Sequence, residues 1–260
     1  MAWIEESVAS AAAGAMITLL DTVLVQNSHW EIYDAAAAAN CKVYRCHDDV
    51  VNCDFYLKVD DNYADYCICE LWEGWDAGAH AGTGLNKKVF SATSTFDWIK
   101  TTGTWEISLH DFYFILINPA YCGYFCGRPS LYDESKNIVM IISDSSAHAG
   151  RNQLSEYANG TNGGWAFLFD EAGNQTNAAG GGGGAVTNPT NRSILDIAGG
   201  YRVWEDPIRN MTTSLVVGTL PGVCNLGAEA NGLLNGDIVT VDGADWLAIF
   251  ATSWSLVRKD

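Results

Sequence analysis

Hydrophobic and polar residues alternate along much of the chain, and this pattern predicts β-strands. From Trp30 onward, four alternating segments follow one another: WEIYDA, CKVYRC, CDFYLKV and YADYCICELWEGW. Polar turn clusters at His47–Asp49 and Asp60–Asn62 separate the later segments. A period of two is typical of strands with one buried face, so we predict an antiparallel meander in this region.

Two continuous apolar runs, Phe112–Ile117 and Ile138–Ile142, are too short for helices and rich in Ile, Val and Phe. Such runs are typical of strands that are buried on both faces. We therefore predict that they form the strand pair at the centre of a β-sheet. The segment between them, Tyr121–Pro129, contains aromatic residues, glycines and cysteines, and we expect it to be a loop that displays surface chemistry.

The two ends of the chain have different patterns. Apolar residues recur every three or four positions between Val8 and Val23, which predicts a helix capped by Ser7. We expect this helix to pack on a sheet or on another subunit. Near the C-terminus, Asp242-Gly243 separates the apolar segments IVTV and WLAIF, as in a β-hairpin, and Trp254–Val257 is the last predicted strand.

Composition supports a mainly β protein, because 26 glycines and 12% aromatic residues favour short strands and tight turns. We predict an antiparallel, jelly-roll-like β-sandwich with an N-terminal α-helix. In this interpretation residues 1–30 contain the helix, 31–175 the sandwich core, 176–192 a Gly/Asn-rich flexible loop, and 193–260 the strands that complete the sandwich. The five consecutive glycines at 180–184 are not followed by Lys-Ser or Lys-Thr, so they predict a linker and not a phosphate site.

The charge of the chain argues against a nucleic-acid partner. Its formal net charge is −17, and no cluster of lysine or arginine could neutralise phosphates. No apolar segment reaches the roughly 18 residues of a membrane span, and the N-terminus lacks the features of a signal peptide. We therefore expect synthesis in a cytoplasm and no membrane partner.

Eight cysteines are many for a protein made in a reducing compartment. Their spacings do not match a zinc site, so we predict no metal. A turn centred on Asp61 would place Cys53 opposite Cys69, whereas a turn over residues 47–52 would place Cys46 opposite Cys53. The sequence is compatible both with disulfides, within or between subunits, and with free buried thiols. The candidates for cross-links are Cys41, Cys46, Cys53, Cys67, Cys69, Cys122 and Cys126.

The sequence contains no catalytic motif. The adjacent pairs His47-Asp48 and His110-Asp111 would point to opposite faces of a strand, and the aspartates at 60, 61 and 65 lack the pattern of a calcium loop. We expect neither a cofactor nor an enzymatic activity. Aromatic residues that look exposed could form a protein interface or stack on sugars, although about half of them could be ordinary core; the candidates are Trp72, Trp75, Tyr121, Tyr124 and Phe125.

Several segments together resemble a family of uncharacterised virion structural proteins of tailed bacteriophages. They are the N-terminal helix, ELWEGWDAGAHAGTG, DFYFILINPAYCGYFCGRPSLYD and the ending GLLNGDIVTVDGADWLAIFATSWSLVRKD. The resemblance covers mainly Trp72–Tyr132 and Gly222–Asp260. The pentaglycine run and the cysteines depart from the family pattern.

The resemblance implies a non-enzymatic structural component of a tail, baseplate or neck, located in the virion after synthesis in the host cytoplasm. Its partners would be copies of itself and other virion proteins, and a host surface glycan is an additional option. The family supplies no catalytic residues. Thiols that oxidise outside the host cell would also explain the many cysteines. The alternative function is a carbohydrate-binding or receptor-binding module that uses the loop aromatics.

Overall fold

The computed structural model describes residues 2–48, 53–86, 96–132, 139–142, 205–209, 216–227, 232–250 and 254–259. Within these ranges the chain is mainly β, with eighteen strands and one helix, and every strand pairing is antiparallel. One of the sheets curls into a half-barrel. The predicted loop at 176–192 lies outside the described residues.

The central sheet has the strand order β1-β8-β9-β10-β12. Its strands are β1 (Ala2–Val8), β8 (Gly103–Leu109), β9 (Tyr113–Ile117), β10 (Gly123–Gly127) and β12 (Met140–Ile142).

Both predicted central strands are present, as β9 and β12, but they are not neighbours, because β10 lies between them. The predicted loop is therefore largely a strand, and every residue of β10 is buried. The actual turn is short: Tyr121 N donates to Asn118 O at 2.8 Å, and Asn118 Oδ1 accepts from the backbone of Ala120 and Cys122. Because the chain reverses within these few residues, Tyr124 and Phe125 enter the core instead of the surface.

The meander sheet confirms the predicted run of antiparallel neighbours. Its strands are β2 (Trp30–Ala38), β3 (Cys41–Asp48), β4 (Cys53–Asp60), β5 (Tyr66–Asp76) and β6 (Ala81–Asn86), with β7 (Phe96–Ile99) also paired to β5.

Both predicted cysteine registers in the meander sheet are wrong. Cys46 lies opposite Phe55 and Cys69 lies opposite Val59, whereas Cys53 lies opposite Asp48. The prediction assumed a tight turn centred on Asp61. In the structure the chain between β4 and β5 runs from residue 61 to residue 65, and the Asp61 side chain is buried.

The N-terminal segment begins as a strand and not as a helix. β1 occupies Ala2–Val8 and pairs with β8 along its whole length, and α1 begins only at Ala15 and ends at Leu24. The apolar stripe predicted from Val8 therefore spans two elements. Ser7 lies in β1 and cannot cap the helix. The first helical N–H groups are instead satisfied by Asp61, whose Oδ2 accepts from Met16 N at 2.7 Å and Ile17 N at 3.3 Å.

The C-terminal sheet has the order β15-β18-β17-β16. Its strands are β15 (Val223–Gly227), β16 (Ile238–Val241), β17 (Ala244–Phe250) and β18 (Trp254–Arg258), and β11 (Ser130–Leu131), β13 (Asp206–Arg209) and β14 (Val216–Leu220) form a separate small sheet. The predicted hairpin is confirmed, since β16 and β17 pair across Asp242 (φ 52°) and Gly243 (φ 82°). Two consecutive positive φ angles are the geometry of a type I′ turn.

The central sheet is buried on both faces, which explains its continuous apolar strands. On one face Phe114 and Leu116 belong to a core shared with α1 and the meander sheet. On the other face Ile115, Ile117 and Phe125 pack with residues of the C-terminal sheet. The described residues thus form stacked antiparallel layers with the central sheet in the middle. No described helix is long and apolar enough to span a bilayer.

Candidate functional site

The outer face of the meander sheet, opposite the core, presents a cluster of aromatic side chains. Alternation along the strands sends Arg45, Tyr56 and Trp72 to this face, and the strand register places them in one row. We call the following residues the outer aromatic surface: Tyr33, Ala37, Val43, Tyr56, Trp72, Trp75 and Ala77. Tyr33 and Tyr56 pack edge to face at 5.0 Å, and Trp72 and Trp75 do so at 5.9 Å. These rings form a firm, mutually supported platform.

A buried carboxylate lies at one side of the outer aromatic surface. Asp34 is 4% exposed, and it accepts hydrogen bonds from Trp75 Nε1 at 2.9 Å, His80 Nδ1 at 2.8 Å and Ala36 N at 3.0 Å. Burial by itself would raise the pKa of Asp34, but the hydrogen bonds from His80, Trp75 and Ala36 outweigh it and hold this pKa below its usual value. Asp34 is therefore a fixed negative charge with a defined set of donors.

His80 connects the buried Asp34 carboxylate to the protein surface. Its side chain is 45% exposed, and its Nδ1 faces Asp34. A carboxylate acceptor requires the proton on Nδ1, so in the neutral ring Nε2 carries the lone pair and faces away from Asp34. The pair can accept a hydrogen bond from a hydroxyl group at Nε2.

Charged residues surround the platform. Arg45 forms ion pairs with Glu31 at 2.6 Å and with Asp54 at 3.5 Å, and its guanidinium lies 5.4 Å from the ring centre of Tyr33. Glu70 pairs with Lys58 at 3.3 Å and accepts from Trp72 Nε1 at the same distance. These contacts fix the orientation of the rings from two sides.

Gly82 provides the space that Trp72 occupies. A Cβ added at Gly82 would lie 2.0 Å from Trp72 Cε3, which is far inside any real contact distance. The indole therefore packs directly on the backbone of β6, and only a glycine permits this approach.

The structure brings together two of the five predicted aromatic candidates. Trp72 and Trp75 both belong to the outer aromatic surface, Trp72 partly buried and Trp75 only 7% exposed. Tyr121 is partly buried against the core shared with the C-terminal sheet. Tyr124 and Phe125 are completely buried on opposite faces of the central sheet, so their rings have no exposed face for a sugar.

The cysteine candidates do not form disulfides among the described residues. The structure buries six of the seven and shows none of them in a disulfide: Cys41, Cys46, Cys67, Cys69, Cys122 and Cys126. Cys67 and Cys69 share one face of β5, as expected from their spacing, and both belong to the same core. Burial also raises the pKa of the Cys41 thiol to about 11. These thiols behave as small core residues, and a bond to another subunit would require the core to open.

The polar part of this site is not apparent from the sequence. Asp34 and His80 are separated by 46 positions in the chain, and nothing in the local pattern links them. One available signal is the Asp within the alternating segment WEIYDA, since the register of β2 shifts between Ile32 and Asp34. Among the described residues no group of three or more His, Cys, Asp or Glu could hold a metal ion.

Comparison with known proteins adds no family to these observations. No protein-family model matches the chain. No curated protein matches it at a significant level either.

Proposed function

We propose that this protein is a non-enzymatic structural subunit of a tailed bacteriophage virion, in the tail, baseplate or neck. Its partners would be copies of itself and other virion proteins, after synthesis in the host cytoplasm. The proposal rests on the resemblance carried by the segments at Trp72–Tyr132 and Gly222–Asp260. We further propose that the complete chain forms a jelly-roll-like sandwich.

The arrangement of the sheets is the structural observation that supports the proposal best. The central sheet is covered on both faces, which makes a rigid platform. Within the described residues, β1, β2 and β16 each pair with a strand on one side only. Edge strands of this kind carry backbone groups that can pair with a neighbouring subunit. A symmetric oligomer would repeat each such contact in every subunit.

Strand β16 offers a specific place to test an edge contact. Ile238 on this strand is 46% exposed, an apolar side chain at a sheet edge. Leu234, in the segment before β16, is 69% exposed but does not lie on a strand. The two residues therefore form a matched pair for substitution.

The experiment is mass-resolved light scattering of the purified full chain, with and without reductant. We expect an oligomer of defined mass that is insensitive to reductant, because the described cysteines are buried thiols. Ile238→Lys should shift the population toward monomer, whereas Leu234→Lys should leave the mass unchanged. A monomer at all concentrations would contradict self-assembly. An oligomer unaffected by Ile238→Lys would remove β16 as the contact.

A carbohydrate-binding function is the second candidate, and the outer aromatic surface favours it. A partly exposed indole beside a hydrogen-bonding His/Asp pair suits a ligand with apolar ring faces and hydroxyl groups. Binding to a glycan array should be lost in Trp72→Ala and His80→Ala. Tyr63→Ala is the control, since Tyr63 is 39% exposed but stacks on Tyr66 outside this surface. An array without signal for the unchanged protein would refute this function.

A further inference from the structure

A lysine and an aspartate are completely buried where the end of β4 approaches the end of β7. Lys100 Nζ lies 2.5 Å from Asp61 Oδ1, and neither side chain has any exposed surface. The other lysine–aspartate pair described in the structure, Lys42 with Asp21, is by contrast 23% and 28% exposed. Burial of two opposite charges is costly unless every remaining hydrogen-bonding position is satisfied.

Neighbouring groups satisfy the remaining hydrogen-bonding positions of both Lys100 and Asp61. Lys100 Nζ also donates to Ala12 O at 3.0 Å and to Tyr63 O. Asp61 Oδ2, the oxygen not facing the lysine, accepts from Met16 N at 2.7 Å and Ile17 N at 3.3 Å, at the first turn of α1. Two backbone N–H groups that converge on one oxygen form the arrangement that stabilises negative charge on a carbonyl oxygen during acyl transfer.

We propose that Lys100 and Asp61 join through an isopeptide bond between Nζ and Cγ, with release of one water molecule. A nucleophile, an acyl carbon and an oxyanion site lie together here in a dry environment. The reaction needs no oxidant, reductant or other co-reactant.

The atoms and charges balance in three steps. First, a proton passes from the Lys100 ammonium to Asp61 Oδ1, which leaves a neutral amine beside a neutral carboxylic acid. Second, the amine lone pair attacks Cγ, and the negative charge develops on Oδ2, where Met16 N and Ile17 N donate hydrogen bonds. Third, the nitrogen passes a second proton to Oδ1, the Cγ–Oδ1 bond breaks, and Oδ1 departs as water.

The product keeps most hydrogen bonds of the buried pair, and only one of the two backbone carbonyls that accept from Lys100 loses its donor. The amide oxygen keeps the donors Met16 N and Ile17 N, and the remaining N–H can donate to Ala12 O or Tyr63 O. Two buried charges are replaced by one neutral, paired amide, which removes the cost of keeping ions away from water.

An open groove adjoins residues that contact the pair. Ala12, which accepts from Lys100, and Gly14, whose N donates to Asp61 O, both line a groove of about 690 Å³ between β1, α1 and the β2–β3 hairpin. A polar molecule formed at the pair is therefore next to an opening.

Peptide mapping of the purified, folded full chain tests the proposal. After denaturation and trypsin digestion, we expect the peptide with Asp61 to be joined to the peptide with Lys100, with cleavage after Lys100 blocked and the mass of one water missing. Lys42 and Asp21 are the control: both lie in the tryptic peptide of residues 1–42. This peptide should be cleaved normally after Lys42 and keep its full calculated mass, since the pair is partly exposed to water and Asp21 has no comparable backbone donors among the described contacts.

Lys100→Arg provides a second measurement that keeps the positive charge but cannot form the amide. Its intact mass under denaturing conditions should equal the value calculated from its sequence, whereas the unchanged protein should be lighter than calculated by one water. Separate tryptic peptides and an unreduced mass for the unchanged protein would overturn the proposal, and the pair would then be a buried ion pair only.

Discussion

Removal of the Asp61 carboxylate should be among the most damaging single substitutions in the described part of the chain. Asp61→Ala leaves the Lys100 ammonium buried without its counter-charge. It also removes the acceptor for the first N–H groups of α1, because Gly14 at the N-cap makes no side-chain hydrogen bond. Breaking one partner of a buried ion pair costs about 3 to 5 kcal/mol, and loss of a helix cap typically adds about 1 kcal/mol.

A loss of this size is a large part of the total stability of a typical domain. Urea unfolding followed by tryptophan fluorescence measures it directly, provided that the dependence on urea is similar for the variants. If the pair is joined covalently, Asp61→Ala also removes that bond, so the loss is at least as large.

Two further variants separate charge burial from other effects. Asp65→Ala is the control, since this residue lies in the same β4–β5 connection but is exposed, and its free energy of unfolding should change little. Asp61→Ala combined with Lys100→Met removes both charges and should regain part of the loss. A change below about 1 kcal/mol for Asp61→Ala, similar to a surface substitution, would refute the reasoning.

Three other predictions follow from individual contacts. Gly82→Ala should lower the thermal midpoint and change tryptophan fluorescence, since the new methyl group meets Trp72; an unchanged protein would contradict the packing. Burial raises the pKa of the Glu106 carboxyl above its usual value of 4.5, although Lys259 acts in the opposite direction. Because folding then favours the protonated acid, the free energy of unfolding should fall as the pH rises from 4.5 through the folded-state pKa. Glu106→Gln should lose this pH dependence. Burial also raises the pKa of the Cys126 thiol, so iodoacetamide should label Cys126 only after unfolding, and rapid labelling of the native protein would refute its burial.

Local patterns predicted those elements whose signals lie close together in the chain. The hairpin at Asp242-Gly243 was predictable because a two-residue turn with positive φ angles favours these residues. The meander was predictable because each strand alternates and is bounded by polar turns. The start of α1 was not predictable in the same way, because its capping carboxylate, Asp61, lies 45 positions away from Met16.

Register and neighbour order required information that local patterns do not contain. Tyr124 and Phe125 look like exposed loop aromatics, yet β10 inserts between β9 and β12. The predicted register of Cys53 with Cys69 failed for a related reason, since Asp61 enters a buried ion pair and the β4–β5 connection is longer than a tight turn. Tertiary contacts decided both outcomes.

The candidate site was partly predictable from residue type. Trp72 and Trp75 were predicted as aromatic residues that look exposed, and they do lie together, although Trp75 is largely buried. Asp34 and His80 could not be found from the sequence, because only the folded meander sheet brings β2 beside the end of β5 and the start of β6. The polar half of the site is a consequence of the fold.

The most direct test of the proposed function is quantitative mass spectrometry of purified phage particles together with the lysate of infected cells. We predict that peptides of this chain occur in the particles at a constant ratio to the known particle proteins, with a copy number that fits the symmetry of the particle. They should stay bound after washing at high salt. Peptides that are abundant in the lysate but absent from purified particles would contradict a role as a structural subunit of the virion.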